Sequence, residues 1–149
     1  LPFLAADMGS LAGGFISPFL MKYLGFGLVQ SRLAGVVLGV LIMIAPGCVG
    51  LAPTAVTAVA LLCVGGFAHQ IMSGLINTLA TDKFGAHEVA TASGLAGMAG
   101  WTGGLAFSLI VGQLVDHVGF TPVFASLSIF DLCGAAIAVM MLREPRTAR

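Results

Sequence analysis

Charge is what this chain has least of. Six Lys and Arg and six Asp and Glu make up 8% of its 149 residues, against about 25% in an ordinary soluble domain. That scarcity argues against a water-soluble helical bundle, in which each helix keeps one polar face. The formal net charge is zero, so there is no basic footprint for nucleic acid. Cysteine is sparse too. Cys48, Cys63 and Cys133 fall in three separate apolar stretches without C-x-x-C spacing. A zinc site or redox pair is therefore not indicated, and the three read as small packing residues. The chain has no G-x-x-x-x-G-K-[ST], no G-x-S-x-G and no H-E-x-x-H, so neither nucleotide-driven work nor those hydrolytic chemistries are encoded. His69, His87 and His117 are too dispersed to hold a metal jointly in a simple bundle. No cofactor is expected.

What the chain has instead is long apolar runs, at roughly 1–21, 33–52, 55–80, 89–115 and 121–142, with a mean hydropathy of +1.08. About 20 apolar residues cross a bilayer core of about 30 Å, and each run is long enough. The basic residues alternate with them. Lys22, Arg32, Lys83, Arg143, Arg146 and Arg149 follow the first, third and fifth runs, and the other two gaps hold no Lys or Arg. Short loops rich in Lys and Arg stay on the cytoplasmic side. The pattern predicts an all-α integral membrane protein with five spans and its C-terminal tail in the cytoplasm. It sets the lipid bilayer of the cell's inner membrane as the surroundings.

The first residue is Leu1, inside an apolar run, and five is an odd number of spans. Many transporters are built from paired repeats. The expectation is the C-terminal piece of something larger. Glycine supplies the packing signals. Gly9 and Gly13 form a G-x-x-x-G pair in the first run, and Gly35 and Gly39 repeat it in the second. The fourth run carries Ser93, Gly97, Gly100, Gly104, Ser108 and Gly112 at spacings of three or four. Small residues on one face let helices approach closely in lipid, so Gly9, Gly13, Gly97, Gly100 and Gly104 are the predicted helix-packing positions.

Polar groups at bilayer depth are costly and mark functional sites by default. His69, Gln70, Ser73 and Asn77 fall at i, i+1, i+4 and i+8 of the third run, which is one helix face. They combine hydrogen-bond donors with acceptors, as the wall of a substrate cavity would. Helix–helix hydrogen bonding, worth about 0.6 kcal/mol per bond in membranes, is the other reading. Asp131 lies midway along the fifth run, where a carboxylate costs roughly 2.5–3.5 kcal/mol on insertion scales. It is either a proton-coupling carboxyl or a protonated or paired group at a helix contact. Asp7 lies in the outer part of the first run, either as a proton-coupling carboxyl or as a polar group near the headgroups or hydrogen-bonded between helices. Trp101 sits deep in the fourth run, to stack on a substrate ring or to fill space beside glycines. His69 with Ser73 is the one nucleophile–base spacing in the runs, with no third group to orient it, so an enzyme is not expected.

Several of these residues together resemble a known family. Pro2-Phe3-Leu4-Ala5-Ala6-Asp7-Met8-Gly9-Ser10, followed by Gly13-Gly14 and Ser17, is similar to helix eight of the major facilitator superfamily. It resembles most the anion:cation symporters that include bacterial hexuronate and galactonate transporters. Gly66-Phe67-Ala68-His69-Gln70 with Ser73 and Asn77 resembles helix ten of that family, and Ser93-Gly94-Leu95-Ala96-Gly97 the start of helix eleven. The resemblance covers essentially the whole chain, as helices 8–12 of twelve. It implies proton-coupled symport of sugar acids or related organic anions by alternating access. It implies His69, Gln70, Ser73 and Asn77 as cavity lining, and an N-terminal half of the same transporter as partner. Helix twelve is usually peripheral in that family, and Asp131 has no counterpart there. Two positions depart from the pattern: Pro18 stands where an Asp closes the first motif, and Met72 where an aromatic is common. Pro18 keeps a second reading open, a non-transporting helix bundle acting as a remnant or an interaction subunit.

Overall fold

The computed structural model describes residues 1–142. The tail carrying Arg143, Arg146 and Arg149, and with it the expectation that the C-terminus is cytoplasmic, lies outside the described residues. The described chain is helical with no strand. Its elements are α1 (Pro2–Leu24), α2 (Leu28–Ile42), α3 (Ile44–Gly47), a 3-10 turn (Val49–Leu51), α4 (Ala55–Lys83), α5 (Val89–Val118) and α6 (Phe120–Leu142). They make five stretches long and apolar enough to cross a membrane, α2, α3 and the 3-10 turn counting together as Leu28–Leu51.

The connections are tighter than the apolar runs suggest. Gly25 adopts φ 68°, ψ 22°, and its N–H donates to the Leu20 carbonyl. This left-handed cap ends α1 at once, as glycine readily does. Lys22 thereby falls in the last turn of α1, where a cation meets the negative end of the helix dipole. Ser31 and Arg32, expected in a loop, are instead in α2. The gap around residues 45–53 is also mostly wound. Pro46 lacks the N–H that would continue α2, so the chain turns at Met43 and re-forms α3 and the 3-10 turn. Thr54 then caps α4, its Oγ1 accepting from the Thr57 N–H at 3.2 Å. Gly119, with φ 75°, alone separates α5 from α6.

The buried core is small. Val36, Val40, Ile71, Met72, Leu75 and Ala135 form one cluster, and Val29, Leu33 and Leu79 a second that Val139 and Leu142 cover. Most large apolar side chains point outward, Phe3 at 88% exposure and Trp101 at 84%. Lipid is as apolar as these side chains, so a bundle in a membrane need not hide them.

α1 seats on α4 along Gly9, Gly13 and Ser17, all buried. A Cβ on Gly9 would run into the Phe67 backbone, and one on Gly13 would stand 3.4 Å from the Ile71 Cα. α2 meets α4 along Gly35 and Gly39, where Leu75 and Met72 fill the space a Cβ would need. The glycines of α5 differ. Gly97, Gly100 and Gly104 have nothing within 4 Å of an added Cβ, and no residue of α5 is buried. The close packing expected of them is therefore not present among the described residues. α5 meets only α4 and α6, and its small-residue face has no helix opposite it.

Candidate functional site

The third span places its polar residues beside the buried face of α4. Ala68, Ile71, Met72, Leu75 and Leu79 are buried and hold α4 against α1 and α2. At about 100° per residue, His69, Gln70, Ser73 and Asn77 occupy the adjoining arc. His69 and Asn77 are exposed, and Gln70 and Ser73 are half-buried. None of the four makes a side-chain hydrogen bond among the described residues, whereas Thr78 on the same helix donates to the Leu75 carbonyl at 2.9 Å. The arc presents an imidazole, two carboxamides and a hydroxyl with their hydrogen-bonding capacity unspent.

One end of this arc opens into a cavity of about 360 Å³ between α4, α5 and α6. Asn77 lines it, with Ile76, Ala92, Leu95 and Ala138 among the apolar walls and Lys83 at the same end of α4. His69, Gln70 and Ser73 are not among its lining residues, so the structure joins one of the four predicted residues to this half-open space. Asp7 is exposed and lies two residues before Gly9, on the side of α1 turned away from α4. It is not brought to the α4 arc. Asp131 is half-buried on α6. Trp101 is exposed on α5. No group of three or more His, Cys, Asp or Glu able to hold a metal occurs among the described residues.

Several polar contacts escaped the sequence reading, because each joins residues distant along the chain. Arg32 Nε donates to Asp82 Oδ2 at 3.1 Å, with side chains 18% and 17% exposed. This ties the start of α2 to the end of α4. Ser17 and Ser31, both fully buried, hydrogen-bond across α1 and α2, and Ser31 Oγ also donates to the Leu28 carbonyl at 2.7 Å. Ser128 Oγ donates to the Met43 carbonyl at 2.7 Å, at the turn between α2 and α3. Asp82 stands beside Lys83 in the last turn of α4, a polar position visible in the sequence, but its partner was not.

The chain is similar to curated transporters. It is 46% identical over 144 residues to a protein named hexuronate transporter from Escherichia coli strain K12, covering 97% of this chain and 33% of that protein. It is 28% identical over 151 residues to a D-galactonate transporter from Escherichia coli O6:H1, again 97% of this chain and 33% of the relative. A galacturonate transporter from Dickeya chrysanthemi matches at 40% identity over 60 residues, 40% of this chain and 17% of the relative. The chain thus spans about a third of the length of the first relatives it matches. No protein-family profile matches it.

Proposed function

As a sequence of the hexuronate/galactonate transporter type over 97% of its length, this chain is, we propose, the helix 8–12 portion of a proton-coupled sugar-acid symporter of the major facilitator fold. The observation that carries the reading is the 46% identity over 144 residues, 97% of this chain, to a hexuronate transporter. A sugar acid offers a carboxylate and several hydroxyls, and the arc on α4 offers imidazole, carboxamide and hydroxyl groups that complement them. The basic side chains described sit near helix ends, at Lys22, Arg32 and Lys83. Neutralising the anion's charge at mid-membrane is therefore assigned to the remaining two-thirds of the transporter's length. Alternating access would open the arc to each side of the inner membrane in turn, with the basic ends cytoplasmic.

The test is uptake of labelled galacturonate and galactonate into proteoliposomes holding the polypeptide whose reading frame carries this chain. We expect uptake driven by an inward-directed proton gradient. Ser73→Ala and Gln70→Ala should each raise KM about tenfold, the loss of one hydrogen bond to a charged ligand. Unchanged uptake in both variants would remove the arc from the substrate path. Pro18, in place of the family's Asp, favours a second reading as a non-transporting helix bundle. Absence of any uptake by the unsubstituted protein, correctly inserted, would select it.

A further inference from the structure

The cavity between α4, α5 and α6 suits a different guest from a sugar acid. Its walls are apolar, with Ile76, Leu79, Phe84, Leu95 and Leu142 among them, and Asn77 and Lys83 supply its polar lining. Hydroxyl groups pressed against such walls would give up their hydrogen bonds to water without replacement, which is costly. Hydrocarbon has no such bonds to lose. At about 360 Å³ the cavity reaches the size of small-ligand sites, about 300–1,000 Å³.

Its place in the fold is the level of one membrane surface. α4 ends at Lys83, α5 begins at Val89 and α6 ends at Leu142, so three helix ends gather there. Ile76 and Asn77 lie about 10 Å deeper than Lys83, at 1.5 Å per residue of helix. The cavity therefore runs from the headgroup level into the hydrocarbon. It exists because α4 and α6 are not in close backbone contact among the described residues. α5 meets both but buries none of its own residues. Phe84 and Leu95 are left exposed along the cavity.

Charge at this end favours an anion. Lys83 lines the cavity, and Asp82 beside it is engaged by Arg32. Leu142 also lines the cavity, and the sequence continues from it through Arg143, Glu144, Arg146 and Arg149, three basic residues to one acidic. The opposing carboxylate is Glu88. With His87 and Thr91 it lines an adjoining cavity of about 390 Å³ that shares Phe84, Ala92 and Leu95 with the first. The cytoplasmic leaflet is the anionic one, and basic pockets between spans on that side hold anionic lipid headgroups.

We propose that this cavity binds an anionic phospholipid, with one acyl chain lying between α4, α5 and α6 and the phosphate at Lys83. The site adjoins the polar arc of α4 at Asn77 and does not depend on transport. Its assignment to the cytoplasmic leaflet rests on the orientation drawn from the basic residues.

The test uses the full polypeptide that carries this chain, reconstituted in phosphatidylcholine vesicles. A trace of phosphatidylglycerol bearing a photoreactive diazirine on one acyl chain is added and activated, and the labelled peptides are identified by mass spectrometry. Labels should fall within residues 76–84, 92–96 and 138–142, the stretches that line the cavity. A phosphatidylcholine with the same diazirine should label these stretches about fivefold less, the effect of one basic group beside an anionic headgroup. Lys83→Gln should lower the phosphatidylglycerol labelling by about the same factor, and Lys83→Arg should keep it. Excess glycerol phosphate, which has the anion but no acyl chain, should not compete. Labels confined to other stretches overturn the site, as when another segment of the transporter fills the cavity. Equal labelling by the two lipids, or labelling unchanged in Lys83→Gln, overturns the role of charge. Competition by glycerol phosphate would make this a site for soluble anions and overturn the acyl chain's part. Sugar-acid uptake is not read in this experiment, so its failure and a failure of the transport reading remain distinct.

Discussion

The glycines show how one residue type can have opposite consequences in one chain. Gly9 lies where the Phe67 backbone leaves no room for a Cβ, and that backbone cannot move aside as a flexible side chain could. Gly9→Leu should therefore destabilise the bundle by about 1–3 kcal/mol, the usual range for overpacking. Gly100 faces open space, so Gly100→Ala should stay within about 0.5 kcal/mol of the parent. Thermal unfolding of both variants in the same micelles makes the comparison, and equal losses would refute it. The sequence showed both glycines at packing spacing. It could not distinguish them, because spacing defines a face of a helix and not what stands opposite it.

At the scale of elements, the α1–α2 connection and the end of α4 form one clasp. Gly25 turns the chain sharply, Ser17 and Ser31 bond beneath the turn, and Arg32 reaches Asp82. The ion pair is partly exposed, so its contribution should be about 0.2–1 kcal/mol and fall as salt screens it. Asp82→Asn should lower the unfolding midpoint slightly at low salt and very little at high salt. A loss that salt does not change would mean that Asp82 acts through packing. The turn between α2 and α3 follows from Pro46, legible in the sequence. The Ser128 hydroxyl that satisfies the Met43 carbonyl there was not legible, since it arrives from α6. Likewise α4's polar arc could be read from spacing alone, while the placing of Asn77 in a cavity walled by α5 and α6 required all three helices.

At the scale of the whole molecule, the alternation of basic loops makes a topological prediction. In an otherwise cysteine-free background, Thr54→Cys should react with a membrane-impermeant maleimide in intact cells. Gly85→Cys should react only after permeabilisation. The reverse pattern would invert the orientation drawn from the basic residues. Composition and spacing by themselves determined that the chain is helical, that five stretches suit a bilayer, and which arc of α4 is polar. These follow from local rules, namely the length of a span, the helical period and the cost of charge in lipid. Tertiary structure decided that Gly9 is enclosed while Gly100 is open, that Arg32 meets Asp82, and that Asn77 lines a cavity with residues of α5 and α6. Each of these depends on which helix lies opposite which and in what register, a relation set by side-chain packing between distant segments and by no local rule along the chain.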